Sequence, residues 1–319
     1  MNGVIIVDKP AGWTSHDVVN RMRRILNQRS VGHLGTLDPL ATGVLPLVTG
    51  GLTRLAQFYT ASQKTYEGVI RFGFATDTYD AEGERVGTAT TVELDLEQLR
   101  ELASQFEGEI EQVPPQFSAK KIHGVPAYKL ARKHKAVDLK PVKVKVEEFV
   151  ITHVEGERAT FRACVASGTY MRTMAHDMGQ RLGFGAHLES LRRTAAAEFD
   201  ISQAHTLEEI EERATGCHSE PGDSPAEEPA FSFSDGISDL FVHPRQLLPD
   251  FPGVTADDAT AARIRVGRPV NLPELSRARH VKVFYGQREL IAIATRVAGT
   301  LFHPKIVFVT EQQTARVPL

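Results

Sequence analysis

Residues 32–46 read GHLGTLDPLATGVLP, and this stretch guides how the rest of the chain is interpreted. Its glycines and prolines are too frequent for a helix interior or a regular central strand. It is also too apolar for a solvated linker, because five of its positions are leucine or valine. We therefore predict a buried irregular loop, whose backbone polar groups must be satisfied locally. Loops of this kind commonly hold a functional side chain in place.

Asp38 is the only carboxylate in this loop. Pro39 biases the backbone of Asp38 toward an extended conformation and fixes the next dihedral angle. A lone carboxylate on a stiff loop suits a nucleophile or a general base. An aspartate that caps a turn before proline is the commoner use of this dipeptide, and spacing alone favours the turn cap.

Composition predicts a soluble, cytoplasmic protein of one large and one small domain. The 319 residues are 41% hydrophobic and 24% charged, which is ordinary for globular proteins. No apolar run approaches the ~20 residues that span a bilayer, and we find no signal peptide, so no membrane partner is expected. Cys164 and Cys217 lack zinc-ligand spacing, and His33 and Asp38 have no third ligand nearby, so we expect no metal.

The net charge of -3 hides an uneven distribution. Residues 206–240 contain ten acidic residues and one basic residue, so the rest of the chain has a net charge of +6. Residues 120–145 contain nine basic residues and one acidic residue, with aromatic residues among or beside them. This pattern suits an RNA backbone with splayed bases, although a solvated basic face fits it equally well.

Hydrophobic periodicity predicts the main elements of the larger domain. Residues 64–74 alternate, with Tyr66, Gly68, Ile70 and Phe72 facing one way. The other predicted elements are a strand at 4–7, a helix from Thr14 or Ser15 to about residue 27, a short helix at 52–59, a helix at 95–106, paired strands at 142–151 and 159–165, a helix at 169–182 and a short helix at 207–213.

The composition changes twice near the end of the chain. Residues 214–239 are rich in Gly, Ser, Pro, Glu and Asp, which predicts a disordered acidic insert. Short strands resume after Pro249, at residue 270 and at 281–284, 290–295 and 306–309, and they indicate a small β-barrel-like module. We therefore divide the chain into residues 1–250 and 251–319.

Two further segments contain candidate site residues. Arg172 lies in the first turn of a predicted helix, where it opposes the helix dipole, so we expect a nearby anion. Asp38 is a suitable partner, and Asp177 or a phosphate is the alternative. Residues 9–15 lack the order of a P-loop and instead suit a stiff entry to a helix. Asp77 and Asp80 are interpreted as turn and capping carboxylates.

Several collinear motifs within residues 1–205 together resemble the TruB family of tRNA pseudouridine synthases, which act on uridine 55 of the T arm. The opening loop is the most specific of them. The others are KPAGWTSHDVV at 9–19, KTY at 64–66, TDTYD at 76–80, PPQFSAK at 114–120, GVPAYKLAR at 124–132, GTYMR at 168–172 and LGFGAHLESLRR at 182–193. Phe117 departs from the family pattern, in which tyrosine is frequent, and the acidic insert is not typical of the family.

The resemblance implies an α+β fold, with a mixed, largely antiparallel central sheet, flanking helices and a small C-terminal PUA-like β-barrel. It implies an enzyme without a cofactor that binds the T arm of tRNA, and we expect a monomer. It also implies that Asp38 is the essential carboxylate and pairs with Arg172, and that Tyr66 stacks on the target uracil where it could move the C5 proton.

Further residues are assigned to RNA binding by the same resemblance and by charge. His33 is implied to lie in the RNA-binding cleft and to help hold the flipped-out T loop. The remaining candidates are Tyr170 and Leu191 near the pocket, with Lys9, Lys120, Lys121 and Arg132 as basic contacts.

The chemistry implied for Asp38 leaves two routes open: attack on C1′ of the ribose, or removal of the 2′ proton in a glycal route. A tRNA-binding folding factor with little catalysis is the alternative function. A glycoside or nucleoside hydrolase fits less well, because it usually needs two carboxylates that flank the bond, and the loop holds one.

Overall fold

The computed structural model describes residues 1–118, 121–122, 125–126, 139–215 and 236–308. The α-helices are α1 (Ser15–Ile25), α2 (Ala56–Tyr59), α3 (Leu96–Ser104), α4 (Met171–Leu182), α5 (Leu207–Thr215) and α6 (Asp258–Arg265). The strands are β1 (Gly3–Lys9), β2 (Val31–His33), β3 (Thr42–Thr49), β4 (Lys64–Phe72), β5 (Ala75–Thr76), β6 (Arg85–Val86), β7 (Gly108–Gln112), β8 (Lys121–Ile122), β9 (Val125–Pro126), β10 (Val142–Glu155), β11 (Arg158–Val165), β12 (Ala186–Ala196), β13 (Phe199–Asp200), β14 (Gly253–Ala256), β15 (Val270–Asn271), β16 (His280–Tyr285), β17 (Glu289–Ala298) and β18 (Leu301–Val307).

Within the described residues, nine strands form the larger sheet, in the order β1-β3-β12-β4-β11-β10-β7, with β2 on β3 and β13 on β12. All of its pairs are antiparallel except β3 with β12, which run parallel over two residue pairs. Helix α4 packs on β12, and α3 packs on β10. The predicted mixed, largely antiparallel sheet with flanking helices is confirmed.

Local sequence signals place the predicted elements well. Thr14 is the N-cap of α1, and it forms a reciprocal capping box with Asp17. Strand β4 has the predicted alternation, with its even-numbered positions buried. Strands β10 and β11 pair as predicted, and their pairing is antiparallel.

Five strands of the larger sheet were not predicted: β2, β3, β7, β12 and β13. Only residues 34–41 of the opening stretch are irregular, since β3 begins at Thr42 and continues through Pro46. The ladder tolerates Pro46 because its carbonyl still accepts a hydrogen bond from the Leu34 N–H at 2.9 Å. Strand β12 lies at the centre of the sheet, although Glu189, Arg192 and Arg193 interrupt its apolar pattern.

The C-terminal residues form a second, curled sheet in the order β14-β16-β17-β18-β15, with α6 against it. It includes the predicted strands together with β14 and α6, which were not predicted. Apolar side chains of both sheets share one hydrophobic cluster, in which Val4 and Ile6 of β1 join Phe284 and Ile293. The division into residues 1–250 and 251–319 stays a prediction.

The predicted acidic insert is too long at both ends. Ala214 belongs to α5 and is buried, and Ile237 is fully buried in the core of the larger sheet. Arg213 of α5 also pairs with Asp239 at 2.9 Å. The rest of the predicted insert, residues 216–235, lies outside the described residues. No helix in the described ranges is long and apolar enough to cross a membrane.

Candidate active site

The irregular segment 34–41 is anchored along its length by buried side chains from three elements. Ser15, at the start of α1, exchanges two hydrogen bonds with Leu37: its Oγ accepts from the backbone N–H at 2.8 Å and donates to the carbonyl at 3.1 Å. The carbonyl of Pro39 accepts from the Gly12 N–H at 2.9 Å and from Nζ of Lys9 at 3.2 Å. The loop is therefore fixed although it has no regular structure.

Arg193 of β12 supports the other side of this loop. Its side chain is fully buried and donates to the carbonyls of Gly35 at 3.0 Å, Thr36 at 3.3 Å and Val44 at 2.7 Å. One planar guanidinium thus joins the start of the segment to β3, the strand that follows it. This role of Arg193 could not be predicted from the sequence, because hydrogen bonds to backbone carbonyls leave no signal in the residues that accept them.

Asp38 projects from this loop toward Arg172. Nε of Arg172 lies 2.9 Å from Oδ2 of Asp38, as an ion pair whose N–H is not aligned for a hydrogen bond. The Asp38 side chain is 42% exposed, whereas that of Arg172 is 6% exposed. Among the described residues, no backbone N–H donates a hydrogen bond to the Asp38 carboxylate, so this side chain does not cap the turn. The backbone carbonyl of Asp38 accepts from the Ala41 N–H instead.

A second carboxylate, Asp80, also contacts Arg172. Oδ2 of Asp80 lies 3.3 Å from Nη1, and both side chains are 6% exposed. The carbonyls of Thr78 and Phe117 accept further hydrogen bonds from the same guanidinium, at 3.2 and 2.9 Å. Four contacts to one side chain offset the unfavourable position of Arg172 in the first turn of α4. Asp80 thus has a second role besides the turn role predicted for it, and sequence reasoning missed that role because the contact is long-range.

Asp38 and Tyr66 line one cleft of about 440 Å³. Tyr66 lies on β4, opposite Arg193 of β12, and its side chain is mostly buried in the wall. Among the candidates, Arg172, Tyr170, Leu191 and His33 also line this cleft. The fold therefore brings seven side chains together in one cleft. They are a carboxylate (Asp38), its guanidinium partner (Arg172), two tyrosines (Tyr66 and Tyr170), an imidazole (His33), an apolar side chain (Leu191) and the buried Arg193.

Tyr170 and His33 both line this cleft, and burial shifts the pKa of each side chain. Gln112 of β7, a buried residue that the sequence did not reveal, accepts from the Tyr170 N–H at 3.0 Å. Burial raises the pKa of Tyr170, and the charge of Asp38 raises it further. Burial lowers the pKa of His33, helped by the positive charge of Arg193, so neutral imidazole is favoured at pH 7.

Residues 23–171 match the N-terminal domain of the TruB family of pseudouridylate synthases, and residues 172–223 match the C-terminal domain of tRNA pseudouridylate synthase B. The chain is 49% identical over 311 residues to tRNA pseudouridine synthase B of Solibacter usitatus, which covers 96% of this chain and 100% of that protein. This chain belongs to the TruB family. A second relative of the same name, from Geobacter sulfurreducens, is 39% identical and covers 84% of this chain and 83% of that protein.

Solved structures support the same TruB-family fold. A chain in the crystal structure of a Cbf5-Nop10-Gar1 complex superposes with a TM-score of 0.69 at 25% identity, covering 97% of this chain and 86% of that chain. A chain in an H/ACA RNP bound to a substrate RNA containing 2′-deoxyuridine superposes with a TM-score of 0.68 at 24% identity, covering 97% and 85%. The resemblance identified from the sequence is confirmed.

Lys9 is the one basic candidate of this TruB-family chain whose side chain the structure describes. Lys9 is fully buried, and its ammonium donates to the carbonyls of Pro10, Trp13 and Pro39, so it holds the loop and has no surface for a phosphate. Its predicted RNA contact is therefore corrected to a structural one. Lys120 and Arg132 lie outside the described residues, as does the side chain of Lys121.

Proposed function

We propose that this protein converts uridine 55 in the T loop of tRNA to pseudouridine. The observation that carries the proposal is the pairing of Asp38 with a buried arginine at the mouth of a cleft that also contains Tyr66. Membership in the TruB family and relatives named tRNA pseudouridine synthase B support it.

The reaction breaks the C1′–N1 bond, rotates the uracil, joins C1′ to C5 and transfers the C5 proton. Asp38 is the proposed catalytic carboxylate, either as a nucleophile at C1′ or as the base that removes the 2′ proton. Arg172 compensates its charge from a buried position, so the carboxylate stays oriented toward the cleft while it remains 42% exposed. The rigid loop fixes the carboxylate before substrate arrives, which reduces the ordering needed in the transition state.

Tyr66 is proposed to stack on the uracil after the nucleotide leaves the T loop. Unstacking a base costs a few kcal/mol, and stacking on an aromatic ring returns ~1–3 kcal/mol. Its place in the cleft wall also suits movement of the C5 proton. His33, Tyr170 and Leu191 are proposed to hold the flipped-out nucleotide from the other sides of the cleft.

Residues 251–319 are proposed to form a PUA-like RNA-binding domain that contacts tRNA away from the target uridine. Residues 253–308 carry nine basic and four acidic residues. The exposed arginines among them are Arg263, Arg268, Arg277, Arg279 and Arg288. Such a surface favours phosphate contacts, whose strength decreases as salt rises. We also propose that the protein acts as a cytoplasmic monomer.

The test uses unmodified tRNA tritiated at C5 of uracil. Wild-type protein is expected to release tritium. The rate of release by Asp38→Asn is expected to be at least 1,000-fold lower, which corresponds to a loss of ~4 kcal/mol of transition-state stabilisation. This variant should still bind tRNA, because the substitution is nearly isosteric. Absence of release by wild type, or equal release by both proteins, would contradict the proposal and favour a binding-only folding factor. A pseudouridine map of tRNA from cells that lack the protein tests position 55.

A further inference from the structure

Two buried cations, Lys64 on β4 and Arg193 on β12, line one wall of the cleft. Lys64 is 8% exposed and Arg193 is 1% exposed. Both side chains approach Gly35 of the irregular segment 34–41. A methyl group on the Cα of Gly35 would lie 3.5 Å from Nη1 of Arg193 and 3.8 Å from Cε of Lys64. The structure thus holds two like charges close together in a largely buried place.

Neither cation has a carboxylate partner within 4.0 Å among the described residues. Arg172, in the same cleft, has two such partners, Asp38 and Asp80. Lys9 is also buried, but Asp38, Glu82 and Asp17 all raise its pKa and so favour its charge. The contrast shows that burial alone does not exclude acidic partners from this region; in the part of the chain that the structure describes, no carboxylate lies within 4.0 Å of the Lys64 ammonium.

Hydrogen bonds stabilise these two charges only in part. Arg193 donates to three loop carbonyls. Nζ of Lys64 donates to the Ser62 carbonyl at 2.5 Å, the one acceptor that the described residues give it, although an ammonium has three donors. Burial lowers the pKa of Lys64 to about 8, and the charge of Arg193 contributes to the decrease. A buried charge without a counter-ion is costly.

The formal charges of five side chains at this site leave one positive charge without a partner in the group. Asp38, Arg172 and Asp80 together have a net charge of -1, and Lys64 and Arg193 together have +2. A single monoanion therefore makes this group of five side chains neutral. Groups with perturbed pKa values in a cleft are candidates for a functional role.

We propose that Lys64, supported by the charge of Arg193, forms a subsite for one phosphodiester group of the RNA, next to the nucleotide whose base rests on Tyr66. This rests on the proposed function, which brings a polynucleotide into the cleft. A phosphodiester has one negative charge, and an ammonium binds its oxygens as a compact point charge. Arg193 contributes charge rather than contact, because the loop carbonyls already occupy its guanidinium.

The test combines protein variants with T-arm stem-loop RNAs in which one linkage near the target uridine is replaced by an uncharged methylphosphonate. Lys64→Met is expected to bind the unmodified RNA about 10-fold more weakly, as for loss of one hydrogen bond to a charged group. RNA with the methylphosphonate at the contacted linkage is expected to bind wild type and Lys64→Met equally. Lys64→Arg keeps the charge, so it should keep the dependence on that linkage.

A methylphosphonate in the distal stem serves as the control, and should weaken wild type and Lys64→Met by the same factor. The proposed subsite is wrong if a methylphosphonate at every linkage within two nucleotides of the target uridine also weakens RNA binding by wild type and by Lys64→Met to the same extent. Tritium release by wild type on the unmodified RNA is measured in parallel. If tritium is released but no linkage shows coupling between the methylphosphonate and the Lys64 substitution, the subsite alone is rejected. If no tritium is released, the proposed function is rejected.

Discussion

The Arg172 side chain depends on two carboxylates, and they contribute differently. Asp38 faces the cleft, while Asp80 is buried and also accepts from Thr78 Oγ1 at 2.6 Å and the Glu82 N–H at 3.1 Å, both through Oδ1. Oδ2 of Asp80 is the atom near Arg172. Asp80 therefore ties the guanidinium to a fixed turn, so that Arg172 can orient Asp38.

Asp80→Asn is expected to slow tritium release by about 10–100-fold with a small change in KM, since ~1.4–2.7 kcal/mol of orientation is lost in the transition state. The asparagine keeps the Oδ1 hydrogen bonds but presents an amide to Arg172. Asp77→Asn is the matched control: Asp77 lies on the same turn and accepts from the Glu84 N–H at 2.8 Å. Equal rates for the two variants would show that Asp80 is only a turn residue.

Lys64→Met is expected to stabilise the free protein at pH 7 by on the order of 1 kcal/mol, after allowance for solvent screening. The folded-state pKa of Lys64, about 8, lies below its ordinary 10.5, so the unfolded chain binds more protons between those values. Wild-type stability should therefore rise from pH 8 to 10.5, and Lys64→Met should lose its share of that rise.

Urea denaturation across this pH range measures the effect. Lys9, whose pKa is also about 8, contributes equally to both proteins and cancels in the difference. Lys64→Arg keeps a buried charge and should show no gain at pH 7. Destabilisation by Lys64→Met at pH 7 would mean that the charge is already compensated in the free protein, which would also weaken the case for the phosphate subsite.

At the scale of elements, the turn between β5 and β6 is held against α4 by an aromatic stack. The rings of Tyr79 and His176 lie 3.8 Å apart and nearly parallel. Tyr79 has φ of 65°, an unfavourable conformation for a bulky residue, so the packing must compensate for local strain. Because Thr78 and Asp80 flank Tyr79 and both contact Arg172, the stack positions the arginine's partners.

A double-mutant cycle with Tyr79→Ala and His176→Ala is expected to give a coupling energy of about 0.5–1.5 kcal/mol in unfolding, as for other aromatic pairs. Each single variant should also lower kcat several-fold, because the Asp80 turn loosens. Phe74 and His187, whose rings lie 4.6 Å apart, provide the control pair for the activity measurement. Additive unfolding energies would exclude the stack as a constraint on the turn.

The sequence predicted elements with strong local signals and missed those defined by partners. Strand β4 alternates regularly, and α1 has its cap within three residues, so both follow from local rules. Strand β3 contains Pro46, and β12 contains three charged residues, so local rules argue against both. Contacts with neighbouring residues stabilise these strands instead. In β3, the Pro46 carbonyl accepts a hydrogen bond from the Leu34 N–H, and in β12, Arg193 donates hydrogen bonds to carbonyls of the loop.

At the scale of the whole molecule, the two sheets pack against each other through a shared hydrophobic core. The hydrophobic cluster that contains Val4 and Ile6 also contains Phe284 and Ile293. A polar contact reinforces it: Glu198 Oε1 accepts from the Tyr59 hydroxyl at 2.5 Å and from the Leu248 N–H at 2.8 Å. Burial and the charge of Glu198 both raise the pKa of Tyr59, so the hydroxyl remains a donor at all ordinary pH values.

This arrangement predicts that residues 1–250 and 251–319 unfold in one cooperative transition. Tyr59→Phe removes the buried donor to Glu198 and is expected to lower the free energy of unfolding by about 1–3 kcal/mol, while the transition stays single. Tyr285→Phe is the matched control, because the hydroxyl of Tyr285 meets the Asp258 carboxylate at the surface and its loss should cost under about 0.5 kcal/mol. Calorimetry and urea denaturation provide the measurements. Two separate transitions in wild type would contradict the shared core.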